Sequence, residues 1–194
     1  AALMGEFQRQ GKVRALGVSN FSVAQMEEFR SVSPLASNQL PYNLFERQID
    51  GETLPWCAAN SVAVLTWSTL CRSLLAGRVH RGMSFDAQDI RSVDPKFQEP
   101  RFSQYMTAVE RLTAFAQERY GKTVLELAAR WVLDRPGVSV ALWGAKRSQQ
   151  LDAVEGVLGW RIDASAMAEI DRIVEESVPD PVGPEYLAPK AREG

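Results

Sequence analysis

Three short polar clusters carry most of the chemistry this sequence offers. Ser19 and Asn20 set a hydroxyl beside an amide, and Asn38 and Gln39 supply two more amides. Neutral donor and acceptor groups of this kind suit a carboxamide. Spacing alone favours a plainer reading, in which Ser-Asn makes a turn and Asn-Gln bonds neighbouring backbone. Trp67 closes an apolar run just before Ser68 and Thr69. That position suits an aromatic face offered to a flat ring, although a tryptophan there is more often core. In the third cluster, Gly144-Ala145-Lys146-Arg147-Ser148, two cations stand just ahead of a predicted helix start. The helix dipole disfavours positive charge there by about 0.3–1 kcal/mol per group. An anion held by Lys146, Arg147 and backbone N–H groups from Gly144 onward would resolve the conflict. A solvated loop with two exposed bases accounts for the same residues.

Other chemistries find little support. His80 is the sole histidine, which argues against His-rich metal sites and Ser-His-Asp catalysis. Neither G-x-G-x-x-G nor G-x-x-x-x-G-K-[ST] occurs, so the usual Rossmann and P-loop warrants are missing. Asp86, Asp89 and Asp94 share one segment without calcium-loop spacing and read as a solvated acidic face. Cys57 and Cys71 fit no paired motif and are expected as reduced thiols. A net charge of -2 gives no general reason to expect nucleic acid or an anionic membrane as partner. The first ten residues lack a signal-peptide core, and no apolar run approaches the roughly 18–20 residues that span a bilayer, so the expected compartment is the cytoplasm.

The elements that must position these groups alternate along the chain. A helix reaches Gln10 and ends at Gly11, and Val13 to Val18 reads as a buried strand. Ser22 with Gln25 has the form of a capping box, opening a helix from Val23 to Arg30. Leu35 to Leu40 is the next strand, Glu52 to Asn60 the next helix, and Val62 to Trp67 the third strand. Val79 to Arg101 is polar and aperiodic, hence a long loop. Tyr105, Val109, Leu112 and Phe115 then fall at helical spacing up to Gly121, and Thr123 with Glu126 caps a further helix to Leu133. Val138 to Trp143 makes a fourth strand, Ser148 starts a helix, and Asp163 caps a last one to Glu176. Pro179, Pro181 and Pro184 mark an irregular tail, which divides the chain into a body, residues 1–178, and a tail, 179–194.

Four apolar strands separated by helices predict a parallel α/β sheet with helix-covered faces. Four strand-helix units make half of a TIM-type (β/α)8 barrel, which takes about 250 residues. A half barrel would leave two strand edges to be covered by a missing N-terminal half or a second chain. A small doubly wound sheet suits the same count.

At these same positions the sequence resembles the aldo/keto reductase family, from Gly11 to about Arg172. Gly11-Lys12-Val13-Arg14-Ala15-Leu16-Gly17-Val18-Ser19-Asn20-Phe21 is similar to that family's fifth-strand motif, and Asn38-Gln39 with Tyr42-Asn43 to its sixth. Leu65-Thr66-Trp67-Ser68-Thr69-Leu70 is similar to the seventh, and Gly144-Ala145-Lys146 with Gln150-Leu151 to the eighth. The resemblance implies a metal-free (β/α)8 oxidoreductase that moves a hydride between NADPH, less often NADH, and a small carbonyl or alcohol. It implies that Ser19, Asn20 and Gln39 hold the nicotinamide carboxamide while Trp67 stacks on the ring. Backbone around Ser68, Leu70, Arg72 and Ser73 would meet the pyrophosphate, with Arg78 near it. Gly144, Lys146 and Gln150 would hold the adenosine end, with Arg91 toward the 2′-phosphate. Three positions depart from the pattern: Thr69 replaces the usual proline, Ala153-Val154 replaces a Glu-Asn pair that touches adenine, and the catalytic Asp, Tyr, Lys and His would precede this sequence. No catalytic residue is therefore assigned, and Tyr42, Tyr105, Tyr120 and Tyr186 match no catalytic motif. The chain on its own is expected to be inactive. A non-catalytic nucleotide-binding or interaction module derived from the family is the alternative.

Overall fold

The computed structural model describes residues 1–183, so the tail residues Pro184, Glu185 and Tyr186 lie outside the described residues. Local chemistry sets most element boundaries. Helix α1 (Ala2–Arg9) ends ahead of Gly11, whose φ of +70° only glycine adopts at little cost. In α2 (Val23–Arg30) the Ser22 hydroxyl accepts from the Gln25 N–H and the Gln25 side chain accepts from the Ser22 N–H. The same reciprocal cap, Thr123 with Glu126, opens α5 (Val124–Asp134). Helix α4 (Arg101–Tyr120) stops at the left-handed Gly121, and the Asp163 carboxylate caps α7 (Ala164–Ser177). Between these lie α3 (Thr53–Ala59) and the single turn α6 (Val154–Val157).

Strands β1 (Gly17–Ser19), β2 (Ser37–Pro41), β3 (Ala63–Trp67) and β4 (Val138–Ala141) form one parallel sheet in the order β1-β2-β3-β4. Sequential order without reversal removes the doubly wound alternative, which needs a point where the strand order turns back. Since parallel crossovers are right-handed, a sheet wound in one direction collects its helices on one face. The burial pattern follows: Asn38, Leu40, Val64 and Thr66 point to one face and are buried, whereas Gln39, Leu65 and Trp67 on the other are only partly so. The predicted covering of both faces is thus corrected to one. The core fills the space between that face and the helices, with α3 against β3, α5 against β4, and α4 against α5 and α7.

Other boundaries differ from expectation. The first strand begins at Gly17 rather than Val13, because only Leu16 of the preceding stretch is buried. The segment opened by Ser148 is a four-residue 3-10 helix, Ser148–Leu151, rather than an α-helix. The long loop carries two 3-10 turns, Ile90–Ser92 and Pro95–Phe97, each capped by an aspartate. Cys57 and Cys71 are free and buried, and burial pushes both thiols up in pKa. Among the described residues no helix is long and apolar enough to cross a membrane, and no cluster of metal-ligating groups is found.

Candidate functional site

Ligands of parallel α/β folds gather at the carboxyl ends of the strands. Here that end brings four of the singled-out residues together. Ser19 is in register with Gln39, and Pro41 with Trp67, so Ser19, Gln39 and Trp67 share the open face of the sheet. Asn20, left-handed at φ +60°, donates its N–H to the Gln39 carbonyl at 3.0 Å. Its side-chain oxygen accepts from Trp67 Nε1 at 3.2 Å, which fixes the indole plane, and the Ser19 hydroxyl donates to the Gln39 carbonyl at 3.0 Å. Asn38 does a different job from its neighbour. Fully buried, it donates to the Phe21 carbonyl at 2.9 Å and accepts from the Phe21 N–H at 3.5 Å, clamping the loop that presents Asn20. Replacing Asn38 with leucine would strand both backbone groups, at a cost of about 1–3 kcal/mol. Thermal unfolding should show a midpoint lowered by roughly 2–4 °C per kcal/mol.

Beyond Trp67 the chain enters a turn with unusual backbone. Ser68, Cys71, Arg72 and Ser73 have φ of 63°, 45°, 49° and 75°. Each left-handed L-residue costs about 1–2 kcal/mol, so the surroundings must enforce the shape. The turn builds one wall of a hollow of about 320 Å³ whose lining includes Trp67, Ser68, Leu70, Arg72, Ser73 and Gly144. A side chain added at Gly144 would meet nothing within 4 Å, so space stays open beside its backbone. Turns of this kind make concavities suited to anions.

Under the turn lies an ionic array that sequence reasoning missed. Arg72 pairs with Asp94, and Lys96 Nζ lies 3.3 Å from Asp94 and 2.9 Å from Glu46. Asp94, Lys96 and Glu46 are 0%, 1% and 3% exposed, so the reading of Asp94 as part of a solvated acidic face is corrected. Its capping of the Pro95–Phe97 turn and its two cationic partners make burial tolerable. Burial works against the Lys96 ammonium, but the charge and hydrogen bond of Glu46 and the charge of Asp94 favour it, and its pKa lies above the ordinary value. The capping signature Asp94-x-Lys96 was the one available sequence signal.

The remaining residues fall elsewhere. Arg78 lines a separate, larger cavity of about 670 Å³ with Met106, Val109, Lys122, Thr123 and Ala153. Arg91 forks onto Asp89 (Nε to Oδ1 2.9 Å) and lies 4.3 Å from the centre of the Phe85 ring. Asp89 is held below the usual carboxylate range first by Arg91, with a smaller contribution from the field of Lys146. Gln150 accepts from the N–H groups of Lys146 and Arg147 at 2.6 and 3.0 Å. Those two N–H groups are thus engaged within the chain, and a four-residue 3-10 helix sums only a small dipole with which to attract an anion. The helix-start argument for that segment is corrected accordingly. Tyr42 is buried, gives its O–H to Asp50 and accepts from Arg135 Nε at 2.9 Å, while burial and Asp50 push its pKa up. Burial lifts Tyr105 to about 12, and its hydroxyl accepts from the Val182 N–H at 3.0 Å, anchoring the start of the tail on α4.

A parallel sheet wound in one direction, with polar and aromatic groups at its carboxyl end, is an arrangement of the (β/α) type. The chain belongs to the aldo/keto reductase family, whose sequence profile matches residues 1–175. Members of that family are NAD(P)H-dependent oxidoreductases. The chain is 47% identical over 193 residues to the aldo-keto reductase YhdN of Bacillus subtilis (strain 168), covering 100% of this chain and 58% of that protein. It is 26% identical over 177 residues to the NADH-specific methylglyoxal reductase of Escherichia coli (strain K12), covering 90% and 53%. Among solved structures, the glycerol dehydrogenase AKR11B4 from Gluconobacter oxydans superposes with a TM-score of 0.89 at 43% identity, over 94% of this chain and 55% of that one. An aldo/keto reductase from Klebsiella pneumoniae in complex with NADP and acetate gives 0.63 at 25% identity, over 88% and 52%. The chain therefore spans a little over half the length of these relatives.

Proposed function

We propose that this chain is the cofactor-binding half of a TIM-type (β/α)8 reductase that uses NADP(H) and a small carbonyl or alcohol substrate. The observation that carries this reading is the Trp67–Asn20 hydrogen bond, which places an oriented indole beside Ser19 and Gln39 at the mouth of a hollow. Trp67 lies on the open face, half-buried, where a nicotinamide ring can stack on it while the carboxamide meets Ser19, Asn20 and Gln39. Bound there, the nicotinamide supplies the hydride. The left-handed turn with Arg72 suits the pyrophosphate, and the same stretch of chain runs on to Arg78 and the larger cavity.

We assign the adenosine end to the segment of Gly144, Lys146 and Gln150, which runs on to Ala153 at the edge of that cavity. Val109, Met106 and Ala153 offer it apolar surface, and Arg78 and Lys122 offer cations. Small apolar residues at Ala153 and Val154 make adenine recognition a matter of packing rather than hydrogen bonding. Lys146 and Arg91 favour a 2′-phosphate and hence NADPH over NADH. The names of the relatives point both ways, one structure holding NADP and one protein being NADH-specific.

The proton chemistry is assigned to groups outside this chain. Tyr42 and Tyr105 are committed to structural hydrogen bonds, Tyr42 with Asp50 and Arg135 and Tyr105 with the Val182 N–H. Four further strands, from the same polypeptide or a second chain, would close the open face and both sheet edges. The cytoplasm remains the expected compartment. Titration with NADPH and with NADH, followed by tryptophan fluorescence, should give saturable quenching with tighter binding of NADPH. A folded protein that responds to neither dinucleotide would overturn the assignment.

A further inference from the structure

Cys71, Arg72 and Ser73 take left-handed angles in succession, and Ser68 shortly before them does the same. L-residues leave such conformations unless the surroundings over-determine them, and they cluster at ligand clamps. What holds this turn is a path of buried polar groups reaching both of its ends. At one end Asn43 Nδ2 donates to the Ser68 carbonyl at 2.9 Å and to Glu46 Oε2 at 2.6 Å. At the other end Arg72 pairs with Asp94. Lys96 joins the two, with Nζ 2.9 Å from Glu46 and 3.3 Å from Asp94. Two carboxylates and two cations balance in charge, and three of the four side chains are at most 3% exposed. Glu46 follows β2, whereas Asp94 and Lys96 come from the long loop, so the array ties that loop to the strand ends.

Burial of this kind is seldom the cheapest way to stabilise a fold, since apolar residues of similar volume often do as well. The array is better explained by what it holds. Ser68 and Arg72 both line the hollow, and both are fixed from below through Lys96. We propose that Asp94 and Lys96 are positioning residues for the dinucleotide: they set the Ser68–Ser73 turn and the Arg72 guanidinium in the arrangement that receives the pyrophosphate. Neither residue lines the hollow; both act through residues that do. The inference rests on the dinucleotide reading above.

Asp94→Asn tests it with little change of shape. The asparagine keeps an oxygen for the Lys96 N–H, now at 2.9 Å from Asp94 Oδ1, and loses the charge facing Arg72 and Lys96. Calorimetric titration with NADPH and with NADH should show Kd raised roughly tenfold, the weight of one charge-assisted contact, at unchanged stoichiometry. Lys96→Met should move Kd in the same direction. A merely structural array would instead lower the number of competent sites and leave Kd as it is, and that outcome overturns the proposal. So does a folded Asp94→Asn protein that binds as the parent does. If the parent itself binds neither dinucleotide, the cofactor reading fails first and the positioning role falls with it.

Discussion

Truncating Trp131 to alanine is expected to cost about 3–5 kcal/mol of stability, the usual range for an aromatic side chain removed from a core. Trp131 is fully buried on α5, and its ring centre lies 5.2 Å from that of Tyr42, which directly follows β2. The guanidinium groups of Arg47 and Arg135 approach its ring at 4.5 and 5.1 Å. One side chain thus fastens the β2 end, the segment after it and the α5–β4 junction. For a chain of this size the thermal midpoint should fall by roughly 6–20 °C, and a protein near the low end of the usual 5–15 kcal/mol of stability would fold only in part. Trp131→Phe gives a sharper comparison. It keeps a ring against Tyr42 and removes an indole N–H that is buried without a hydrogen-bond partner, so differential scanning calorimetry should show well under half the loss. Equal losses in the two variants would mean that a retained phenyl ring contributes nothing here and that the indole itself, rather than the volume it fills, stabilises the core.

What could be read from the sequence and what could not divide along the range of the interactions. The Ser22–Gln25 and Thr123–Glu126 caps, the left-handed Gly121 and the Asp163 cap are settled within three or four residues, and each stands where the spacing predicts it. The parallel α/β class is equally legible, because apolar strands alternating with helices admit few other arrangements. Strand register is a longer-range property. Val13 looks like the start of a strand, yet pairing with β2 begins only at Gly17, opposite Ser37. The ionic array was invisible for the same reason. Asp94 in a polar loop reads as a solvated carboxylate until Arg72 and Lys96 are seen beside it in a buried setting. Gln150 shows the reverse error, since its side chain is occupied with the N–H groups of Lys146 and Arg147, a local cap that a reading centred on cations passed over. Of the residues singled out for the dinucleotide, those at strand ends converge, because the sheet itself aligns them. Arg78 and Arg91, carried by loop, were the ones whose surroundings the sequence left open.

The same logic makes Trp67 the most consequential single residue of the site. It ends β3 on the open face, and the hydrogen bond from Nε1 to Asn20 Oδ1 holds its plane while tying the β1 loop across the top of β2. Trp67→Ala therefore removes the stacking surface and releases Asn20, two of the contacts assigned to the nicotinamide. Stacking of a flat ring on an indole is worth about 1–3 kcal/mol by alanine substitution, so Kd for NADPH by calorimetry should rise roughly 5- to 150-fold. Trp67→Phe keeps a ring but loses the bond to Asn20, and its Kd should lie between the two. The control is Trp56→Ala: that ring sits on α3 with the Arg30 guanidinium 5.4 Å from its centre and donates to Glu27 Oε1 at 3.3 Å, so its loss should affect stability and leave Kd within twofold. Equal weakening by the two alanine variants would mean that the tryptophans act through the fold, whereas selective weakening at Trp67 ties dinucleotide binding to the strand-end face.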